Sequence, residues 1–124
     1  ERRNGDFVRA LIAAGRVSCC HDLSDGGLYV ALAEMAIAGG VGADLAGPED
    51  DAWLFGEDQA RYLLAVEAAE TGAVLAEAEA AGVPAQRVGT TGGVALTRSG
   101  ADAISVGELR SLHASWLPAY MARA

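Results

Sequence analysis

Two short polar segments of this 124-residue chain carry the side chains best suited to bind a ligand. The first lies where a predicted strand passes directly into a predicted helix, and it contains Asp22, Ser24, Asp25, Gly26 and Gly27. Free backbone N–H groups and the helix dipole converge at such a junction, so ligands bind there in layered α/β proteins. Ser24 offers a hydroxyl donor, Asp22 and Asp25 are hard oxygen ligands suited to Mg²⁺, and glycines permit close approach to the backbone. This segment is the first candidate binding site.

The same segment also has an ordinary structural interpretation. Asp and Ser residues before a helix commonly act as N-caps, and a glycine pair can simply make the turn. Two aspartates would also repel a phosphate group unless a metal ion or an arginine intervened. The residues alone therefore favour a metal-bridged phosphate or a sugar hydroxyl as the ligand, and they leave the purely structural alternative open.

The second candidate segment precedes another predicted strand and contains Glu57, Asp58, Gln59 and Arg61. The two carboxylates can accept hydrogen bonds from ribose or amide groups, while Gln59 offers both a donor and an acceptor. Arg61 is a planar, bidentate partner for a carboxylate or a phosphate. A polar loop with an ordinary surface ion pair explains these residues equally well. Neither segment resembles a Ser/His/Asp triad or a thiol nucleophile arrangement, so the sequence predicts a binding loop without a catalytic residue.

Composition excludes several classes of protein. All nine basic residues are arginine, which excludes a Walker-A phosphate loop and a Schiff-base lysine within these residues. A net charge of −8 with scattered arginines argues against nucleic acid as a partner. The sequence has neither an apolar stretch of about 20 residues nor a charged-then-apolar leader, so we expect no membrane span and no signal peptide.

The adjacent Cys19 and Cys20 lack the spacing of a zinc motif. We interpret them as small apolar strand residues of a protein in the reducing cytoplasm. The length fits a single domain over residues 1–124. Because the chain starts with Glu1 and lacks an initiator methionine, we expect a piece of a longer polypeptide.

The elements that position both segments alternate between helix and strand. Apolar spacing and glycine stops predict helices between Asn4 and Gly15 and over residues 27–38, 71–81 and 108–121. Apolar runs predict strands over residues 17–21, 41–45, 62–67, 94–97 and 103–106. This alternation predicts a layered domain of mixed α/β or α+β class, in which helices cover a mixed sheet.

Four finer expectations follow from the same patterns. The strand over residues 62–67 is apolar on both faces, which is typical of a central, covered strand. The glycine-rich residues 89–93 predict a tight turn between two strands. Thr71 is expected to cap the third helix. Trp116, Tyr120 and Met121 lie on the apolar side of the last predicted helix, so we expect them to pack in the core.

Several ordered motifs together resemble the C-terminal domain of phosphoribosylformylglycinamidine synthase. The first is His-Asp-Leu-Ser-Asp-Gly-Gly-Leu, and the second is Leu-Phe-Gly-Glu-Asp-Gln-Ala-Arg-Tyr. Three shorter motifs follow in the same order, so the resemblance extends from Arg3 to Met121. The motifs lie at residues 21–28, 54–62, 88–93, 104–106 and 116–121.

The resemblance implies a fold like that of the C-terminal domain of aminoimidazole ribonucleotide synthetase. Enzymes of this family convert formylglycinamide ribonucleotide to formylglycinamidine ribonucleotide in purine biosynthesis, using ATP, Mg²⁺ and glutamine-derived ammonia. Their catalytic histidine and most of their metal ligands lie in N-terminal domains. The implied partners are therefore the sister domains of the same polypeptide, a glutaminase subunit and a small accessory subunit.

For the site, the resemblance implies a substrate or nucleotide cleft that this domain helps to complete, with Asp22, Ser24, Asp25, Gly26 and Gly27 as its first candidate residues. Glu57, Asp58 and Gln59 correspond to a substrate-contacting loop in the first half of the family's tandem architecture, so they are expected to be pseudo-equivalents of it. No metal ligand is assigned. Two alternatives stay open: a structural domain that binds no ligand, and the same domain from a relative of thiamine-monophosphate kinase or selenophosphate synthetase. The motifs after Gly89 favour the synthase.

Overall fold

A computed structural model describes residues 1–47, 50–98 and 101–122. Within these residues, helices and strands alternate along most of the chain. In order, the elements are α1 Arg2–Ala13, β1 Cys19–Asp22, α2 Gly27–Gly39, β2 Ala43–Leu45, α3 Asp51–Phe55, β3 Tyr62–Ala65, α4 Thr71–Ala80, β4 Gly89–Thr91, β5 Ala95–Arg98, β6 Ala101–Ser105 and α5 Val106–Met121. No helix in the described part is both long and apolar enough to span a bilayer.

The strands form two sheets. In the smaller sheet, β1 and β3 pair antiparallel, with Cys19 opposite Ala65 and Asp22 opposite Tyr62. The larger sheet has the order β4-β2-β5-β6, in which β2 and β5 are parallel and the other neighbours are antiparallel. The predicted mixed α/β class is confirmed.

Backbone contacts divide the chain into two compact units. The first consists of Glu1–Leu32 and Pro48–Val88, and the second of Ala33–Gly47 and Gly89–Ala124. Each unit is therefore built from two separated segments, and α2 begins in the first unit and ends in the second. Whether residues 1–124 behave as one domain stays a prediction.

The core of the first unit is aliphatic. Val8 and Leu11, three residues apart on α1, are both buried because residues at this spacing share a helix face. The other buried apolar residues are Leu23, Leu28, Ala31, Leu32, Leu54, Leu63, Val74, Ala78 and Val83.

An ion-pair cluster on the surface joins the end of α1 to α4. Arg16 donates hydrogen bonds to the carboxylates of Glu70 and Glu77 at 3.2 and 2.7 Å. The hydrogen bond with Glu77 is the main cause that raises the pKa of the Arg16 guanidinium.

The second unit centres on β2, where Ala43 and Leu45 are buried and Asp44 between them is exposed. This alternation is what a strand with one covered face requires. Leu96 of β5 and Val106 at the start of α5 are buried as well. The first turns of α5 are held in place because the Ser105 hydroxyl accepts from the Glu108 N–H at 3.1 Å and Arg110 donates to the Ile37 carbonyl at 2.7 Å.

The prediction that the apolar side of the last helix packs in the core is wrong. Trp116, Tyr120 and Met121 are 66%, 60% and 62% exposed, and every residue from 111 to 122 is exposed. The helix itself was predicted correctly, but no described residue covers its apolar side beyond the first turns. Apolar spacing determines which face of a helix is hydrophobic and does not supply the surface that covers it.

Three local predictions are also wrong. Within the described residues β3 pairs with β1 alone, so it is not a central strand. Thr90 and Thr91 belong to β4, and β2 lies between β4 and β5, so residues 89–93 do not form a hairpin turn. The residue that caps α4 is Glu70, which makes no side-chain cap bond, while the Thr71 hydroxyl donates to the Glu67 carbonyl at 3.3 Å.

Candidate functional site

The pairing of β1 with β3 brings the two candidate segments to the same end of the smaller sheet. β1 ends at Asp22 opposite Tyr62, where β3 begins, so the segment after β1 lies beside the segment before β3. The antiparallel pairing continues for one more hydrogen bond beyond the two strands, since the Leu23 N–H donates to the Arg61 carbonyl at 2.9 Å. The sequence predicted two separate candidates, and the structure joins them in one site.

A hydrogen bond between Glu57 and Gly26 connects the two segments directly. The Glu57 carboxylate accepts from the Gly26 N–H at 2.8 Å. Gly26 immediately precedes the first residue of α2, so the carboxylate also lies where the helix dipole favours negative charge. Glu57 therefore positions the first segment, and its side chain is engaged within the protein.

Gly27 is required by close contact between two parts of the backbone. Its φ is +68°, and a Cβ placed on it would lie 2.6 Å from the carbonyl carbon of Phe55 at the end of α3. An L-residue with a side chain would meet both the left-handed strain and this contact. The space beside Gly27 is thus filled by Phe55 and offers no room for a ligand.

The site contains a cleft of about 350 Å³. Five of the residues predicted from the sequence to bind a ligand line this cleft: Asp22, Ser24, Asp25, Glu57 and Gln59. Its other lining residues are Leu23, Ala60, Arg61 and Tyr62. Asp58, Gly26 and Gly27 are not among the lining residues. The cleft therefore brings together polar side chains from both candidate segments.

Arg61 holds the second segment in shape. Its guanidinium donates to the carbonyls of Gly56 and Trp53 at 3.1 and 3.3 Å, and it pairs with the Asp58 carboxylate at 3.4 Å. Trp53 lies in α3 and Gly56 follows that helix, so these bonds satisfy carbonyls at its C-terminal end. The same donors were the reason to consider Arg61 as a partner for an anionic ligand.

Ala60 gives the cleft a sharp turn that the sequence did not indicate. Its φ is +59°, and it is the one non-glycine residue with positive φ in the described part of the chain. The amide of Asn4 on α1 donates to the Ala60 carbonyl at 3.1 Å. Alanine has no local signature for the left-handed region, so no signal in the sequence identified Ala60 or Asn4. Tyr62 could have been found as the first residue of a strand that follows a polar loop.

The lining of the cleft is acidic and rich in acceptors. Asp22, Asp25 and Glu57 contribute carboxylates, and Arg61, which is largely engaged internally, is the one cationic side chain among the lining residues. This arrangement repels phosphate groups and suits ligand groups that donate hydrogen bonds, such as hydroxyls.

The residues of the cleft do not by themselves fit a Mg²⁺ ion. Within the described residues, no three His, Cys, Asp or Glu side chains lie close enough together to hold a metal. Mg²⁺ requires near-octahedral oxygen coordination, and one cleft carboxylate, that of Glu57, is already bonded to the Gly26 N–H. A metal at this position would need ligands other than the described residues of the cleft.

Cys19 and Cys20 of β1 are half-buried free thiols. Burial raises the pKa of Cys20, with smaller contributions from Cys19 and Asp22. A thiol with a raised pKa is a weak nucleophile at neutral pH. Their interpretation as small apolar strand residues agrees with this environment.

Comparison with curated proteins shows long and close matches. The chain is 58% identical to the phosphoribosylformylglycinamidine synthase subunit PurL of Parvibaculum lavamentivorans and 60% identical to that of Rhodospirillum rubrum, over 98% of this chain in each case. It spans 17% of the length of these relatives. The resemblance to this synthase, predicted from the ordered motifs, is confirmed.

Solved structures show the same fold at low sequence identity. Thermotoga maritima PurL complexed with ATP matches with a TM-score of 0.72 and 18% identity, covering 87% of this chain and 21% of that one. The structure of PurLQS from Thermotoga maritima matches with a TM-score of 0.73 and 19% identity over the same shares. The family model described as AIR synthase related protein, C-terminal domain, matches residues 1–99. The chain therefore belongs to the family of C-terminal domains of AIR synthase related proteins.

Proposed function

We propose that this chain is the C-terminal domain of a PurL-type subunit of phosphoribosylformylglycinamidine synthase. The parent enzyme would convert formylglycinamide ribonucleotide to formylglycinamidine ribonucleotide in the cytoplasm, with ATP and glutamine-derived ammonia. The sequence identity to curated PurL subunits supports this assignment. The chemical step would belong to other domains of the subunit, because the resemblance places the family's catalytic histidine in N-terminal domains.

The cleft would bind the ribose of a ligand of the parent enzyme. The observation that carries this proposal is the convergence of Asp22, Ser24, Asp25 and Gln59 on one cleft, held together by the bond from Gly26 to Glu57. Ribose hydroxyls donate hydrogen bonds, which carboxylates accept strongly. The acidic lining would direct phosphates away from it, towards Mg²⁺ held by ligands outside this chain.

Two ribose-containing ligands are candidates. Thermotoga maritima PurL has been solved complexed with ATP and, separately, with FGAR, the formylglycinamide ribonucleotide substrate. The partners of the parent subunit would be its own sister domains, a glutaminase and a small accessory subunit. The PurLQS assembly of Thermotoga maritima supports a multi-subunit complex.

A pair of matched variants in the full-length subunit tests the cleft. Asp25→Ala removes an exposed carboxylate that lines the cleft, and Glu79→Ala removes an exposed carboxylate of α4 in the same unit. We expect Asp25→Ala to weaken binding of either ATP–Mg²⁺ or formylglycinamide ribonucleotide about tenfold, the value for loss of one charge-assisted hydrogen bond. Glu79→Ala should leave both affinities unchanged. Isothermal titration with each ligand separates the two candidates.

Unchanged affinities and turnover in both Asp22→Ala and Asp25→Ala would contradict ligand binding by this cleft. That result would favour a domain whose role is structural. The isolated chain is expected to form no amidine from the substrate with ATP and ammonia. Amidine formation by the chain alone would show that the chemical step does not belong to other domains.

A further inference from the structure

The last helix exposes a continuous apolar face. This face, called the α5 face below, consists of the exposed side chains of Leu112, Trp116, Leu117, Tyr120 and Met121. Leu112, Trp116 and Tyr120 recur every four residues, and Leu117 and Met121 directly follow the two aromatic residues, so the five side chains cover one broad side of the helix. The rings of Trp116 and Tyr120 stack one turn apart, with centroids 5.5 Å from each other.

The composition of α5 is that of a covered helix. No charged residue occurs between positions 111 and 122, whereas a solvated helix surface normally carries charged side chains. Apolar patches of this kind on soluble proteins mark interaction sites, and Trp and Tyr are the residues most enriched where binding energy concentrates. The α5 face is therefore suited to bury against another protein surface.

The similarity to other proteins extends differently over α5 in the two kinds of comparison. The match to the family model of AIR synthase related proteins covers residues 1–99, and α5 begins after it at Val106. The curated PurL relatives align over 98% of the chain or more, a share that reaches into α5. Helix α5 thus lies outside the residues that match the family model and inside the segment that aligns with these curated PurL relatives.

We propose that the α5 face packs against the part of the same polypeptide that precedes this domain in a PurL-type subunit. The chain spans 17% of its curated relatives, so most of such a subunit lies outside it. Covalent linkage gives that part a high effective concentration at the α5 face, ahead of any separate molecule. This proposal rests on the proposed function only in requiring a longer subunit, and it does not require ligand binding by the cleft.

Hydroxyl-radical footprinting of the full-length subunit tests the proposal. Mass spectrometry would measure the modification rates of Trp116, Tyr120 and Met121 in the native subunit and after unfolding in urea. We expect native rates several-fold lower than unfolded rates, at protein concentrations where sedimentation shows a monomer. Native rates close to the unfolded rates would overturn the proposal. Protection that grows only as the subunit dimerises would overturn it too, in favour of a second copy.

A matched pair of double variants gives an independent measurement. Trp116→Glu with Tyr120→Glu places two carboxylates on the α5 face, while Ser111→Glu with Ser115→Glu places two at the same spacing on another side of the helix. The first pair should raise the footprinting rate of Met121 towards its unfolded value, and the second should leave it unchanged. Equal effects from both pairs would contradict a specific role for the α5 face.

Failure of this proposal can be distinguished from failure of the cleft. Asp25→Ala should change ligand affinity without changing the protection of Trp116. If Trp116 is protected while Asp25→Ala binds both ligands normally, only the cleft is excluded. If Asp25→Ala weakens binding while Trp116 is modified freely, only the packing of the α5 face is excluded.

Discussion

The two units differ in how completely they cover their own apolar residues. In the first, α1 buries Val8 and Leu11 at 8% and 3% exposure. In the second, α5 also has apolar residues at helical spacing but leaves Leu112 and Trp116 more than half exposed. Both helices thus have apolar residues at helical spacing, but among these described residues only those of α1 are covered. This difference is the reason for the proposal that the α5 face of the second unit packs against another part of a longer subunit.

A similar contrast separates two glycines with nearly the same backbone conformation. Gly27 in the first unit has φ +68° and faces the backbone of Phe55. Gly93 in the second unit has φ +67°, and a Cβ there would meet nothing within 4 Å. Gly27 is required both by its left-handed backbone conformation and by the close contact with Phe55. Gly93 is required by its backbone conformation alone.

The largest expected change in the free energy of unfolding distinguishes a buried leucine of the second unit from an exposed one. Leu45 is 2% exposed, so Leu45→Ala should lower the free energy of unfolding of the chain by about 3 kcal/mol. Leu112 is 58% exposed, and Leu112→Ala should change it by less than about 0.5 kcal/mol. Urea denaturation of both variants measures the difference. A comparable loss from Leu112→Ala would show that α5 is covered within the chain.

The next effect compares the two glycines. Gly93→Ala should cost about 1 kcal/mol, the strain of placing a side chain in the left-handed region. Gly27→Ala adds a contact with Phe55 that is too short for a real Cβ, so its total cost should be about 3 kcal/mol. Chemical denaturation of the two variants tests this order. Equal costs would mean that the backbone around Phe55 moves aside freely.

The smallest effect is a pH dependence that arises from Cys20 in the first unit. Burial raises the pKa of Cys20 in the folded chain above its value in the unfolded chain. The folded state therefore keeps its thiol proton over an alkaline range in which the unfolded state loses it, and stability falls as the pH rises through that range. At lower pH the contribution is fully present. Cys20→Ala should flatten the alkaline slope of the unfolding free energy, and an unchanged slope would remove Cys20 as its cause.

Much of the local structure was predictable because it depends on neighbouring residues. Helices α1, α2 and α4 begin and end close to the positions indicated by apolar spacing and by glycines such as Gly15 and Gly82. The two polar segments of the site were identified for the same reason. Their side chains and the strands beside them can be read within a window of a few residues.

The remainder depends on pairings between distant residues. The union of the two segments in one cleft follows from the register of Asp22 with Tyr62, forty residues apart in sequence. The position of β2 between β4 and β5 likewise depends on a strand about 50 residues upstream, so the local pattern of residues 89–93 predicts a tight turn between neighbouring strands that the sheet does not contain. Single residues such as Ala60 carry no local sign of their conformation. The sequence-based predictions therefore fail where the structure depends on pairing between distant strands or on the strained backbone of a single residue.

The interleaved order of the two units has a consequence for synthesis on the ribosome. The first unit consists of Glu1–Leu32 and Pro48–Val88, so it cannot close until residue 88 has emerged, although its first helix is made at the start. The second unit waits longer, since β2 pairs with strands made after it on both sides. The ribosome adds about 5–20 residues per second, so β2 stays unpaired for several seconds before its partner strands have been made. A chaperone or an already folded upstream domain that shields β2 in that interval would raise the yield of the native chain.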